Sequence, residues 1–127
     1  MHKSKLVTAV IDCQTEDLTV ATQFWSAALG RKAEPSDDPA VEKYVLVGSG
    51  KEELIVLLQK VPHASRVHLD IEADDIEAEV ARLETFGAKR IEKIKTWWVM
   101  EAPTGHRFCV VRPQRNGVMP SDANEWR

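Results

Sequence analysis

Cysteine is scarce in this chain, and so are long apolar runs. The two cysteines, Cys13 and Cys109, form neither a disulfide framework nor a CxxC metal or redox motif, which agrees with a reducing compartment. The longest apolar run, Leu54 to Leu58, is far too short to cross a bilayer, so no membrane partner is expected. The segment Met1 to Lys5 leads into a strand rather than a signal-peptide core, and we expect a cytoplasmic protein.

Blocks of like charge are also missing. The 17 basic and 20 acidic residues are spread along the sequence and give a net charge of −3. Nucleic acid is therefore not an expected partner. With 127 residues, 43% hydrophobic and 29% charged, the chain fits a single globular domain, 1–127, whose core needs no covalent staples.

An internal repeat is the most informative feature that is present. The segments Val10–Leu18 and His68–Ile76 each combine an alternating strand, an acidic pair and an apolar residue that opens a helix. The following helices are predicted to end at Gly30 and Gly87. Such a repeat predicts one structural unit used twice, with a site between the two copies.

Hydrophobic periodicity predicts the same element order, strand, helix and further strands, in both copies. The first copy has strand 6–14, helix 18–29, a short strand 31–34, a loop 35–39, and strands 43–47 and 53–60 joined by a turn at 48–51. The second has strand 66–73, helix 76–86, and strands 89–93, 97–101 and 107–112. A tail, 114–127, follows, and its Trp126 is expected to dock. The predicted class is α+β.

Alternation along strand 66–73 separates two sets of side chains. The polar set is His68, Asp70 and Glu72. The apolar set, which we expect to carry a helix, is Val67, Leu69, Ile71 and Ala73. The polar side indicates either a binding cleft or an ordinary solvated sheet face.

His68 has three open interpretations: metal ligand, general base or surface residue. Trp97 and Trp98 are adjacent on a strand and face opposite ways, so one is expected to wall a ligand pocket and the other to fill a core.

Five short motifs, taken in order, resemble the vicinal oxygen chelate superfamily, above all its small glyoxalase-like domain proteins. That superfamily includes glyoxalase I, extradiol dioxygenases, fosfomycin-resistance transferases and bleomycin-resistance proteins. The resemblance covers about residues 6 to 113. The motifs are Phe24–Gly30, similar to the family's F-Y-x-x-x-L-G helix end; Leu58–Pro62; His68–Ile71; Leu83–Ala88; and Ala102–Val111, similar to its D-P-x-G-N-x-F hairpin.

The resemblance implies two tandem βαβββ modules, about 5–62 and 66–113, that form cupped mixed sheets around a cavity with helices outside. It also implies one divalent ion held by four His, Glu or Gln side chains. Those positions fall on Val10, near Gln59, on His68 and on Cys109. Because Val10 cannot bind a metal and Cys109 replaces a carboxylate, no metal site and no other cofactor are expected, with a divalent metal left as an open alternative.

The expected function is metal-free binding of a small organic molecule in the cavity. The alternative is a lyase or isomerase in which His68 or a cavity carboxylate is the general base. A third possibility is a structural or interaction role, in which the paired sheets make a stable dimer. A homodimer is the expected assembly under all three interpretations. The predicted ligand-binding residues are Asp12, Gln59, His68, Asp70, Trp98 and Cys109.

Overall fold

A computed structural model describes residues 1–34, 44–47, 54–115 and 117–127, with the backbone alone for 44–47. The predicted loop 35–39 and turn 48–51 lie outside the described residues. Two helices and nine strands are described: β1 (His2–Gln14), α1 (Thr19–Leu29), β2 (Ala33–Glu34), β3 (Tyr44–Val47), β4 (Ile55–Val61), β5 (Arg66–Ala73), α2 (Ile76–Glu84), β6 (Lys89–Ile94), β7 (Trp97–Glu101), β8 (Arg107–Val111) and β9 (Asn124–Trp126). Neither described helix is long and apolar enough to span a membrane.

The chain divides into two compact units. The first unit comprises residues 8–68, and the second comprises residues 1–7 together with 69–127. Each contains one βαβββ set, with α1 in the first and α2 in the second, so the predicted α+β class and the repeated element order are confirmed. The strand β1 starts four residues earlier than predicted, and its first residues belong to the second unit.

The first unit has a mixed sheet covered by α1. β1 pairs in parallel with β4, which is antiparallel to β3, and β3 is antiparallel to β2. Cys13, Leu18 and Leu58 form its buried core, and Trp25 of α1 packs against them. The backbone N–H of Thr19 donates to Asp17 at 2.7 Å at the start of α1.

The second unit repeats this arrangement. β5 pairs in parallel with β8, and β7 lies antiparallel to both β8 and β6. Its core consists of Ala73, Val80, Met100 and Val110. Asp75 caps α2 by accepting from the backbone N–H of Ala78 at 3.0 Å. The helix ends at Glu84, two residues before the predicted end, which leaves Phe86 71% exposed.

Burial along β5 differs from the sequence prediction. Val67 and Leu69 of the apolar set are 58% and 43% exposed, whereas Glu72 of the polar set is 1% exposed. The prediction that a helix covers Val67 and Leu69 is therefore wrong. Within the second unit, α2 contacts β6, β7 and β8. Ala73 is the residue of β5 that belongs to the buried core cluster of this unit.

The predicted docking of Trp126 is confirmed. β9 pairs antiparallel with His2–Ser4 at the start of β1. The indole Nε1 of Trp126 donates to Ser4 Oγ at 2.8 Å, and the Arg82 guanidinium lies 3.8 Å from the centre of the indole ring.

Candidate functional site

A buried carboxylate holds the imidazole of His68 in the first unit. Asp12 lies on β1 and is 2% exposed, and its Oδ2 is 2.7 Å from Nδ1 of His68 on β5. Because an ionised carboxylate has no proton to donate, the proton of this hydrogen bond belongs to Nδ1. The contact therefore sets both the tautomer and the direction of the ring, and it points Nε2 away from Asp12.

Arg66 adds a positive charge beside the same carboxylate. Its Nε lies 3.7 Å from Asp12 Oδ2, and half of its side chain is exposed. The other oxygen, Oδ1, is buried and has no hydrogen-bond partner among the described residues. A buried carboxylate oxygen without a donor is uncommon in proteins, and a bound molecule or water is one ordinary explanation.

Gln59 is placed next to this pair by strand register. Its Cα is the partner of Asp12 in the parallel β1–β4 ladder, and its side chain is half-buried. The first unit therefore brings together three of the predicted site residues, Asp12, Gln59 and His68.

The second unit places two more predicted residues side by side. Asp70 is the register partner of Cys109 across the β5–β8 ladder, and the potential ligand atoms of the two lie within 4.8 Å of each other. Both side chains are half-buried. On β5 itself, His68, Asp70 and Glu72 share one face, as alternation predicted.

Trp98 is not brought to Asp70 and Cys109. Its indole packs against the core cluster under α2 and donates to Glu77 Oε1 at 2.9 Å. The register partner of Trp98 is the buried Val110, which is adjacent to Cys109 in β8 and so faces the other side of the sheet. The indole of Trp98 lies on the side of the sheet that faces α2, where Glu77 accepts its hydrogen bond.

Glu72 is a buried carboxyl that the predicted site did not include. Burial raises its pKa above the ordinary 4.5, while the backbone N–H of Gln114 and the charge of Arg115 act to lower it and Asp70 acts to raise it. Its Oε2 is buried without a partner among the described residues. The alternation along β5 placed Glu72 on the same face of the strand as His68 and Asp70, but no local signal in the sequence indicated that Glu72 would be buried.

The residues present do not fit the four-ligand metal centre that the resemblance implies. Val10 is 2% exposed and apolar, so the first-strand ligand of the first copy is missing. The Nδ1 of His68 is engaged by Asp12, and Cys109 supplies a thiol where a carboxylate is required. The hard divalent ions prefer oxygen ligands, and zinc needs a fuller set than this one.

Proteins of known structure share this fold at low sequence identity. An NAD-dependent benzaldehyde dehydrogenase from Legionella pneumophila is 10% identical, over 80% of this chain and 96% of its own, with a TM-score of 0.56. A variant methylmalonyl-CoA epimerase of Streptomyces coelicolor, in complex with 2-nitronate-propionyl-CoA, is 12% identical. The match covers 91% of this chain and 98% of the epimerase chain, with a TM-score of 0.53. A methylmalonyl-CoA epimerase bound to methylmalonyl-CoA is 11% identical, over 93% of this chain and 99% of its own, with a TM-score of 0.54.

At these identities the likeness shows the fold alone. A comparison with curated proteins found no match. A comparison with protein families matches residues 8–111 to the family described as Glyoxalase-like domain, which is most of the chain and both βαβββ sets. The chain therefore belongs to the glyoxalase-like domain family, within the vicinal oxygen chelate superfamily.

Proposed function

We propose that this protein binds a small organic molecule through His68, with the imidazole held in place by the buried Asp12. The observation that carries the proposal is the 2.7 Å hydrogen bond between His68 Nδ1 and Asp12 Oδ2. A histidine whose ring is oriented by a buried carboxylate presents its second nitrogen in a defined direction, which is what recognition of a polar group requires.

The chemistry of these side chains suits an oxygen-bearing ligand. The Nε2 atom accepts a hydrogen bond from a hydroxyl while the ring is neutral, and donates to a carbonyl or carboxylate when the ring is protonated. The amide of Gln59, beside Asp12, offers both a donor and an acceptor. The ligands named in the two epimerase structures carry carbonyl oxygens, which supports this ligand class.

Asp70 and Cys109 are proposed as further ligand contacts, since they face each other across β5 and β8. Trp98 is withdrawn from the set, because its indole is bound to Glu77 on the α2 side of the sheet.

A screen of carbonyl- and carboxylate-bearing metabolites by native mass spectrometry and thermal shift tests the proposal. Hits are titrated against the wild type, His68→Ala and His106→Ala, where the last makes the same change at a turn histidine in the second unit. We expect His68→Ala to lose binding and His106→Ala to keep it. Equal binding by all three proteins would place the site elsewhere, and the absence of any hit would count against a binding function.

A second candidate function, a lyase or isomerase, is favoured by the same Asp12–His68 contact. A carboxylate on Nδ1 keeps the imidazole in the tautomer that abstracts a proton at Nε2, which is how histidine bases are arranged in many enzymes. Epimerisation next to a carbonyl requires this proton transfer, and two of the structural neighbours are named as epimerases.

Deuterium incorporation separates the two functions. Methylmalonyl-CoA and the hits from the screen are incubated with the protein in D2O, and exchange of the C–H beside each carbonyl is followed by NMR. Exchange by the wild type that His68→Ala lacks would establish the base, whereas binding without exchange would leave the binding function alone. Parallel samples with EDTA, nickel, zinc, manganese or ferrous iron test the open metal alternative.

The homodimer and the cytoplasmic location stay predictions. Light scattering coupled to size-exclusion chromatography measures the first: a mass of one chain at micromolar concentration would contradict it.

A further inference from the structure

The C-terminal tail and the start of β1 enclose an open groove in the second unit. The family match ends at residue 111, and the tail returns to the unit where β9 pairs with His2–Ser4. Residues 112–114 and 117–119 of the tail, together with Lys3 and Asp74, line a groove of about 770 Å³. That volume is within the range of small-molecule sites in proteins.

Lys3 and Asp74 form a fixed wall of this groove. The backbone N–H of Lys3 donates to Asp74 Oδ1 at 2.8 Å, and the backbone N–H of Asp74 donates to the carbonyl of Lys3 at 3.2 Å. The tail is tied to β1 by an ion pair between Asp122 and Lys5, just before β9. Because these contacts already hold the groove in shape, a ligand does not have to order it on binding.

Arg112 supplies an exposed positive charge to the groove. Its guanidinium makes no ion pair or hydrogen bond within the part of the chain that the structure describes. By contrast, Arg82 and Arg90 of the same unit each lie 2.8 Å from a carboxylate oxygen. Lys3 adds a second cation, whose ammonium is 3.4 Å from Glu125 at an exposed position, where an ion pair is weak. The donors of the Arg112 guanidinium are therefore open to a ligand.

The acidic residues near Arg112 have other partners. Arg112 also borders a smaller groove of about 320 Å³, whose lining includes Asp75 and Glu77. Asp75 caps α2, and Glu77 accepts hydrogen bonds from side chains of β6 and β7. On the other side of Arg112, the acid among the described lining residues of the larger groove is Asp74, which the backbone of Lys3 already engages. An anion is therefore expected on the Lys3 side.

Apolar side chains line the same groove. Val118 is 66% exposed, and Pro113 and Met119 are half-buried. Covering apolar surface with a hydrocarbon group is favourable by about 25 cal/mol per Å² removed from water. A guanidinium beside apolar surface matches a molecule with a carboxylate at one end and a hydrocarbon body at the other.

We propose that this groove is a second binding site, which takes a small organic carboxylate with an apolar body. The carboxylate pairs with Arg112, whose planar guanidinium can donate two parallel hydrogen bonds to it. The hydrocarbon body covers Val118 and Met119. This site goes beyond the proposed function and does not depend on His68, and most of its lining residues lie outside the family match.

Three probes, titrated at constant ionic strength and followed by ¹H–¹⁵N NMR of the backbone amides, test the proposal. Hexanoate has both the charge and the chain, hexanamide keeps the chain without the charge, and acetate keeps the charge with a single methyl group. We expect hexanoate to bind about tenfold more tightly than either of the others, because each lacks one of the two contacts. The amide shifts should centre on Gly117, Val118 and Met119.

Variants assign the binding to the groove. Arg112→Gln should weaken hexanoate binding about tenfold, to the level of hexanamide. Lys89→Gln, which removes an exposed positive charge elsewhere in the same unit, should keep the wild-type affinity. His68→Ala should keep the shifts at Gly117, Val118 and Met119, so that this site is tested separately from the proposed one.

Three outcomes would overturn the proposal. Equal affinities for hexanoate and hexanamide would show that no cation recognises the carboxylate. Unchanged hexanoate binding by Arg112→Gln would show that Arg112 is not that cation. Hexanoate shifts that lie outside the groove and vanish in His68→Ala would assign the ligand to the site at His68.

Discussion

The Nδ1 atom of His68 and the Oδ2 atom of Asp12 are 2.7 Å apart, although 56 positions separate the two residues in the chain. The first copy of the repeat supplies the buried carboxylate and the second supplies the imidazole. Val10 occupies the position that corresponds to His68, and it is buried and apolar. The two copies therefore share one element order but carry different side chains at corresponding positions.

Removing the carboxylate is expected to change the tautomer of His68. In the wild type the neutral ring carries its proton on Nδ1, because Asp12 accepts it there. In Asp12→Ala that preference is lost, and the Nδ1–H fraction falls. Long-range ¹H–¹⁵N NMR of the imidazole measures this directly, with Asp17→Ala, an exposed aspartate of the same unit, as the control. An unchanged tautomer in Asp12→Ala would show that Asp12 does not orient the ring.

Glu79 is expected to make the protein acid-sensitive. Burial acts to raise its pKa, but hydrogen bonds from Arg82, His2 and Ser4 outweigh that effect and lower the pKa from 4.5 to about 2. Because the pKa of Glu79 is lower in the folded protein than the unfolded value of 4.5, its ionisation stabilises the fold at pH values above 4.5. This stabilisation is lost progressively as the pH falls from 4.5 to about 2. The contribution is about 3 kcal/mol at neutral pH, of which about 2 kcal/mol is lost by pH 3.

Urea unfolding at pH 7 and pH 3 checks this expectation. Glu79→Gln should be less stable at pH 7 by about 3 kcal/mol and should lose less stability on acidification than the wild type. Glu92→Gln, an exposed control on β6, should show the wild-type pH dependence. If Glu79→Gln retained the full wild-type loss of stability, other groups would be responsible for it.

Two valines on helices should respond oppositely to truncation. Val80 of α2 is fully buried in the core of the second unit, whereas Val20 of α1 is 75% exposed. Val80→Ala removes buried methyl groups and leaves a cavity, and we expect a loss of about 2 kcal/mol. Val20→Ala should be neutral or slightly stabilising, because alanine has the higher helix propensity. Equal free energies of unfolding for the two variants would contradict the burial described for α2.

Two glycines with positive φ should differ in their tolerance of alanine. Gly87 has a φ of 100°, and a Cβ there would meet Pro103 Cγ at 3.0 Å. Gly105 has a φ of 87°, but a Cβ there would meet nothing within 4 Å. Both alanine substitutions destabilise the fold by about 1 to 2 kcal/mol through backbone strain, and only Gly87→Ala adds a steric contact with Pro103. Thermal unfolding should give the lower midpoint for Gly87→Ala, and the reverse order would show that Pro103 yields without cost.

Local patterns in the sequence predicted the elements well. The repeat of an alternating strand and an apolar helical face placed both βαβββ sets, and β5 and β7 begin and end at the predicted residues. The end of α2 was the main error in a helix, because Phe86 continues the helical spacing but lies in the turn that leads to Gly87. Periodicity reports which residues are apolar, and a chain can leave its helix while the spacing continues.

The candidate site was predictable only in part. Alternation placed His68, Asp70 and Glu72 on one face of β5, the copy-to-copy comparison pointed to Asp12, and the family resemblance implied Gln59. The direction of Trp98 was not predictable, since adjacent strand residues differ only in the face they take, and the acceptor that decides it, Glu77, lies on α2. Equally, nothing local to β5 indicated that Leu69 would be exposed while Glu72 is buried.

Element type and the order of the elements follow from the chain alone, because each depends on residue identity at short spacing. The duplication follows from comparing two such stretches, and only the family resemblance implies that the apolar Val10 stands at a metal-ligand position. The partners of the carboxylates depend on residues far along the chain: Asp12 meets His68, Glu79 meets His2, and Glu72 meets the backbone of Gln114. Burial and hydrogen bonding are properties of these long-range contacts, so only the folded structure decides which acids are buried and what holds them.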